Sequence, residues 1–138
     1  MVPVSINNLA VLVAAIAGMV IGSLWYSPLL FGNMWIKLLG WKESEMKSKS
    51  KGVAGSMGGM FIGTLVSAYV FAHLVEYLSL HTAWEGIQTA FWLWVGFVVP
   101  VCISAVLFEG KPWKLFFINV FYYLVSFATM GAILSVWM

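Results

Sequence analysis

The sequence contains no arginine and no aspartate, and its charge comes from seven lysines and five glutamates in 138 residues. Charged residues are 9% of the chain, against about a quarter in a typical soluble domain. The formal net charge of +2 reflects local loop chemistry more than a global basic field, which argues against nucleic acid as a partner. The only cysteine, Cys102, lies in an apolar run, so no intramolecular disulfide can form.

Hydrophobic residues make up 62% of the chain, and the mean hydropathy is +0.97. They lie in four long runs at about residues 9–26, 53–77, 84–108 and 113–137. A helix needs about 20 mostly apolar residues to cross a bilayer, and in lipid the backbone must satisfy its own hydrogen bonds. We therefore predict an all-α, polytopic membrane protein, with residues 1–138 in one domain of four antiparallel transmembrane helices surrounded by membrane lipids.

The lysines predict the orientation of these helices. All seven lie in the first and third connections: Lys37, Lys42, Lys47, Lys49, Lys51, Lys111 and Lys114. Four crossings place these connections on one side, and lysine-rich connections face the cytoplasm. We expect a multi-pass protein of the plasma (inner) membrane with both termini outside.

The first connection, residues 28–52, divides into two parts. Pro28 ends the first span, and Leu29 to Trp41 mixes apolar residues with tryptophans, which predicts a short helix along the membrane surface. From Lys42 to Lys51 the chain is rich in serine and lysine, which predicts a cytoplasmic loop.

An internal repeat would divide the bundle into two tandem helix pairs. Six residues after the first span recur in order after the third, namely Leu30, Phe31, Gly32, Trp35, Lys37 and Leu38, then Leu107, Phe108, Gly110, Trp113, Lys114 and Leu115. Parallel repeats of this kind occur in transporters. The alternative is that these residue types are simply common in this chain.

Small residues recur every fourth position on two helices. They are Ala10, Ala14, Gly18 and Gly22 on the first span and Gly55, Gly59, Gly63 and Ser67 on the second. Such stripes let helix backbones approach closely in lipid. Two interpretations remain: packing of the first helix on the second, and a homodimer seam on at least one stripe. We expect a homo-oligomer, with a dimer favoured.

Polar residues gather near the outer ends of the second and third spans: His73, Glu76, His81, Glu85 and Gln88. Imidazoles and carboxylates can bind a divalent metal or relay protons. Thr82 and Glu85, however, form a T-x-x-E capping box that by itself accounts for Glu85. The favoured interpretation is therefore structural, and no metal site is predicted.

A polar stripe also follows the fourth span, formed by Asn119, Tyr122, Ser126 and Thr129. These side chains must face protein or water, so they either join helices by hydrogen bonds or line a polar path. Glu109 lies at the cytoplasmic edge beside Lys111 and Lys114. We favour a local ion pair, and the alternative is a buried carboxylate that bridges to Asn119 or to the corresponding turn near Gly32 and would be the functional carboxylate.

Four segments resemble a known family. They are Leu24 to Gly32 with Trp35, Leu93 to Phe97, Leu107 to Phe116 with Asn119, and Met130 to Leu134. Together they resemble the bacterial membrane-protein family called domain of unknown function 1761. The resemblance implies a small polytopic membrane protein and carries no assigned activity.

The predicted function is a small, self-associating transporter or channel-like protein with a helix-lined polar path. The alternative is a membrane scaffold or accessory subunit whose polar residues only join helices. We find no nucleophile with a base, no cofactor loop and no repeated metal-ligand motif, so we expect no enzyme and no cofactor. A continuous hydrated cavity bordered by the polar residues would separate the two functions.

Overall fold

The computed structural model describes residues 3–50 and 52–137, and within these ranges the chain is all-helical. The described residues form seven α-helices: α1 Asn8–Trp25, α2 Gly32–Leu39, α3 Glu43–Ser50, α4 Val53–Leu78, α5 Ala83–Leu93, α6 Val99–Leu107 and α7 Trp113–Trp137. A π turn, Trp94–Val98, joins α5 to α6 in one continuous span. Four helical stretches are long and apolar enough to cross a membrane, namely Asn8–Trp25, Val53–Leu78, Ala83–Leu107 and Trp113–Trp137. The predicted fold class is confirmed.

The helices begin where the sequence supplies side-chain caps. The Oδ1 atom of Asn7 accepts hydrogen bonds from the amides of Leu9 at 3.1 Å and Ala10 at 3.2 Å, at the start of α1. At the start of α5, Thr82 and Glu85 form the predicted capping box. Caps of this kind satisfy amides that have no partner inside the helix.

The third span contains the π turn directly before Pro100. Proline has no N–H, so an uninterrupted α-helix would leave one carbonyl without its donor. Directly before the proline the hydrogen-bond register shifts, and the amide of Val99 donates to the carbonyl of Trp94, five residues earlier. The indole Nε1–H of Trp94 also donates to the carbonyl of Val120 at 2.6 Å, which ties this turn to α7.

The last helix, α7, lies at the centre of the bundle and contacts α1, α4 and α5, whereas α4 and α5 share little contact with one another. Its closest neighbour is α5, where Gly86 and Gly131 face each other. A Cβ atom on Gly131 would lie 2.5 Å from the carbonyl oxygen of Gly86. The two backbones approach this closely only because neither residue has a side chain.

The connection between α1 and α4 is more ordered than predicted. The surface helix is present as α2, but the predicted serine- and lysine-rich loop is also helical, as α3. Lys51 lies outside the described residues. The start of this connection lies beside the start of α7, because the Tyr26 hydroxyl donates to the Oδ1 atom of Asn119 at 2.7 Å. We call this end of the bundle the lysine end, and the end at which α1 begins and α7 ends the opposite end.

Candidate functional site

A cleft of about 210 Å³ lies between α4 and α7, about midway along both helices. Its walls combine methionine, glycine and phenylalanine with five hydroxyl-bearing side chains, and its lining is Met60, Gly63, Thr64, Ser67, Tyr122, Tyr123, Ser126, Phe127 and Met130. None of these side chains is ionisable at neutral pH. The cleft is therefore a neutral site that can donate and accept hydrogen bonds at the depth of the membrane centre.

The glycines of α1 position two of these hydroxyl groups. A Cβ on Gly22 would lie 3.0 Å from the Tyr122 hydroxyl, and a Cβ on Gly18 would lie 3.1 Å from the Oγ atom of Ser126. The helices run antiparallel, so two glycines four residues apart match two polar residues four residues apart. Larger residues in α1 would push Tyr122 and Ser126 out of their present positions.

Thr64 supplies the corresponding hydroxyl on the α4 side. Its Oγ1–H donates to the carbonyl of Met60 at 2.8 Å, inside the same helix. The donor is used in this bond, but the oxygen keeps lone pairs that can accept a further bond. The flexible thioethers of Met60 and Met130 complete the wall and can adapt to guests of different shape.

Towards the lysine end, the cleft continues into a cluster of aromatic residues. The ring of Tyr122 contacts the ring of Tyr26 edge-on, with centroids 5.4 Å apart, and Tyr26 in turn lies 4.9 Å from the ring of Trp35 on α2. A phenol keeps its proton at neutral pH, and the Tyr26 hydroxyl donates this proton to the Oδ1 atom of Asn119. This cluster lies beside the cleft on its lysine-end side.

Towards the opposite end, the cleft continues into an apolar groove of about 290 Å³. The groove runs over α7 between α4 and the third span, and its lining is Val66, Ser67, Val70, Phe71, Leu74, Leu93 and Phe127. Ser67 and Phe127 belong to both spaces. Cleft and groove therefore adjoin one another at these two residues, and the lining is polar in the cleft and apolar in the groove.

The family model described as "Protein of unknown function (DUF1761)" matches residues 9–135. The chain belongs to the DUF1761 family. No curated protein and no solved structure matches it. The resemblance seen in the four sequence segments is confirmed, and this DUF1761 protein brings two of them together: Tyr26 comes from the first and its hydrogen-bond partner Asn119 from the third.

The structure separates the residues predicted for a polar path in this DUF1761 protein. Tyr122 and Ser126 line the cleft, and Asn119 lies next to it as the acceptor for Tyr26. Glu109 is exposed in the turn between α6 and α7, which does not fit the alternative of a buried carboxylate. Within the described residues Glu109 also forms no ion pair with Lys111 or Lys114. The candidate site contains hydroxyls and an amide but no carboxylate.

The polar residues near the opposite end are dispersed. The carboxylate of Glu85 accepts hydrogen bonds from the amides of His81 and Thr82. The Nδ1 atom of His73 lies 2.9 Å from the carbonyl oxygen of Tyr69, and no bond joins it to the half-buried Glu76. Gln88 is exposed. In the described ranges, no three His, Cys, Asp or Glu side chains lie close enough to hold a metal ion.

The two stripes of small residues have different environments. Gly18 packs against side chains of α4 and α7, and Gly22 packs against Tyr122. A Cβ on Gly55, Gly59 or Gly63 would meet nothing within 4 Å. The prediction that α1 packs on these three glycines is therefore wrong. The helix α1 contacts α4 at Thr64, whose Cγ2 atom lies 3.1 Å from a Cβ built on Gly18, and Ala68 and Ala72 are buried at the same four-residue spacing along α4.

Several residues that shape this DUF1761 site were not selected from the sequence. Thr64 and Ser67 were not assigned to the polar path, and Gly86 and Gly131 were not assigned to a helix contact. A signal was present for most of them, since Thr64 begins a stripe of small residues at every fourth position and Gly131 is followed by Ser135 at the same spacing. Spacing alone does not tell which of several stripes faces which helix.

Proposed function

We propose that this protein is a small transporter or channel-like protein of the plasma membrane that passes a small uncharged solute through the cleft between α4 and α7. The observation that carries the proposal is the cleft itself, with five hydroxyl groups and no charge at the middle of two membrane-spanning helices. Substrate sites of many transporters lie at this depth, between helices.

The chemistry of the cleft supports an uncharged solute. A liquid-like water occupies about 30 Å³, so a cleft of about 210 Å³ has room for several waters or one small solute. Hydroxyl groups replace the hydrogen bonds that the solute loses on leaving water. A charged solute would need a counter-charge, because an unpaired ion at this depth is costly, and none of the lining residues offers one.

The alternative is a scaffold in which the polar side chains only join helices. The hydrogen bond between Tyr26 and Asn119 has this character, because both side chains use it to connect α1 to α7. Transport requires that water reach Ser126, whereas a scaffold would keep Ser126 dry, and thiol labelling at this position distinguishes the two functions.

We propose further that the lysine end faces the cytoplasm and that two copies associate through the open glycine face of α4. This face carries Gly55, Gly59 and Gly63, and residues 52–60 are all exposed. In lipid, close backbone approach and dispersion drive helix association, and glycines permit both. Gly63 also lines the cleft, so a second copy on this face would close the cleft towards the lysine end.

Thiol labelling tests the transport proposal. Ser126 is replaced by cysteine in a chain that carries Cys102→Ala, and sealed vesicles are treated with a charged, membrane-impermeant methanethiosulfonate from either side. The matched control is Val125→Cys on the same background, because Val125 is the preceding residue on α7 and is 40% exposed on the outer surface of the bundle. The two cysteines lie at the same depth and differ in their surroundings.

We expect S126C to react from at least one aqueous side and V125C to react from neither. Thiolates are the reactive form and arise in water, so labelling reports hydration. Equal and negligible labelling of both cysteines would show a dry, packed interior and would overturn the transport proposal in favour of the scaffold.

Gly59→Ile tests self-association, with Gly58→Ile as its control. Both glycines are exposed and have open space around a Cβ, so neither change should disturb the monomer fold. Only Gly59 belongs to the stripe spaced by four. We expect G59I to reduce the dimer fraction in cross-linking experiments and G58I to leave it unchanged; a dimer fraction unaffected by G59I would refute the seam.

A further inference from the structure

We propose that the site takes a membrane-dissolved neutral amphiphile, with its small hydroxyl- or amide-bearing head in the cleft and its apolar chain in the groove between α4 and the third span. This inference names the substrate class of the proposed transport site, and it rests on that proposal for the claim that the bound molecule moves across the membrane.

The cleft and the groove lie next to one another. The groove has a volume of about 290 Å³ and shares Ser67 and Phe127 with the cleft, so an elongated molecule that passes these two side chains would lie in both spaces. Apart from Ser67, the groove is lined by aliphatic and phenylalanine side chains, including Val70 and Leu74. An elongated guest therefore meets hydrogen-bonding groups at one end and only apolar surface at the other.

The second step concerns the polar end. Ser126, Tyr122 and Thr64 are each more than nine-tenths buried and line the cleft with their hydroxyl-bearing side chains. These groups can exchange hydrogen bonds with a hydroxyl or an amide. None of them can neutralise a phosphate, a carboxylate or an ammonium group, so charged lipids do not match the site.

The third step concerns access. Little contact joins α4 to α5, and α7 forms the floor between them. Val70 is 53% exposed at the edge of the groove, so the groove opens sideways from the bundle surface. In a bilayer this surface faces acyl chains, and a guest dissolved in the membrane can enter without passing through water.

The glycine face of α4 does not compete for this opening. Gly55 and Gly59 lie towards the lysine end, whereas Val70 and Leu74 lie towards the opposite end of the same helix. A second copy seated on the glycines therefore leaves the groove open to lipid. A second copy on the glycine face and an amphiphile in the groove can therefore be bound at the same time.

Photo-cross-linking tests this inference in phosphatidylcholine proteoliposomes that contain the full chain. The probe is a monoacylglycerol with a diazirine in its acyl chain, and the competitors are unlabelled monooleoylglycerol and hexadecane. Two tryptophan variants are compared. Val70→Trp fills the groove, and Val101→Trp places the same side chain on α6, at a residue that is 68% exposed and outside the groove.

We expect saturable labelling that maps to the groove residues of α4, is displaced by monooleoylglycerol, and is not displaced by hexadecane. V70W should abolish this labelling and V101W should preserve it. Ser126→Ala, which removes one hydroxyl from the cleft, should raise the half-displacing concentration of monooleoylglycerol about threefold or more, as expected for one lost hydrogen bond.

Labelling that does not saturate and spreads over the exposed faces of α4 and α6 would show bulk lipid only and overturn the inference. Equal displacement by hexadecane would do the same, because the polar head would then contribute nothing. The thiol experiment separates the two proposals. If S126C is labelled from water but probe labelling does not saturate, only the amphiphile proposal is refuted. If S126C is not labelled but probe labelling saturates and depends on the polar head, only the transport proposal is refuted.

Discussion

The contact between Gly86 and Gly131 offers the sharpest test of the packing in this protein. A Cβ added to Gly86 would overlap the carbonyl oxygen of Gly131 and lie 2.5 Å from its carbonyl carbon. That is about 0.9 Å short of the 3.4 Å at which ordinary Cβ contacts begin. The obstructing atoms belong to the backbone, so no side-chain rotation can relieve the overlap, and α5 must move away from α7.

The cost of Gly86→Ala follows from that movement. A gap of 0.5–1 Å removes about a quarter to a half of the dispersion energy of each contact at the interface. Dispersion is a main source of helix association in lipid, and overpacking of a core costs about 1–3 kcal/mol. We therefore expect G86A to lower the free energy of unfolding by about 1–3 kcal/mol.

The assay is reversible unfolding in mixed micelles with increasing SDS, with Gly58→Ala as the control. Gly58 has open space around a Cβ and lies outside the proposed dimer seam, so alanine there should leave the free energy of unfolding unchanged or raise it by up to about 1 kcal/mol through its higher helix propensity. If G86A and G58A unfold at the same SDS fraction, the close approach of α5 and α7 is not present in the membrane, and the reasoning fails.

Two further predictions concern hydrogen bonds. Tyr26→Phe should lower the free energy of unfolding by about 0.6–2 kcal/mol, because it removes the 2.7 Å bond to Asn119. Asn119→Ala should then lower the free energy of unfolding less in the Y26F background than in the unchanged chain, and full additivity of the two changes would contradict a direct bond. Thr82→Ala should cost about 1 kcal/mol and speed amide exchange at the start of α5, since the Thr82 hydroxyl accepts from the amide of Glu85; unchanged exchange there would contradict the cap.

The number, type and bounds of the spans were predictable from local sequence. The fourth span was placed at 113–137 and is observed at Trp113–Trp137. The capping box of Thr82 and Glu85 was equally accessible, because capping is a contact between residues three apart. The incorrect prediction of a loop in the first connection has the same local origin, since a serine- and lysine-rich composition is typical of a loop although α3 forms there.

The candidate site was only partly predictable. The polar spacing on the fourth span selected Tyr122 and Ser126, which line the cleft, but it also led to Glu109, which lies outside it. The α4 contribution, Thr64 and Ser67, was not recognised because a helix in lipid has apolar residues on every side. A hydrophobic stripe that faces the core, the usual guide in a water-soluble helix, is absent in such a helix.

What the sequence determined by itself is the medium and the crossings: apolar runs long enough for a bilayer, helical because lipid offers no other hydrogen-bond partners to the backbone. Only the tertiary structure decided which faces meet. Two stripes of small residues run along α4, and they differ by a rotation of about 100° around the helix. The stripe of Thr64, Ala68 and Ala72 is buried and contacts α1 at Thr64, while Gly55 and Gly59 remain open, because helix contacts in lipid depend on the shapes of both partners rather than on the hydrophobicity of either.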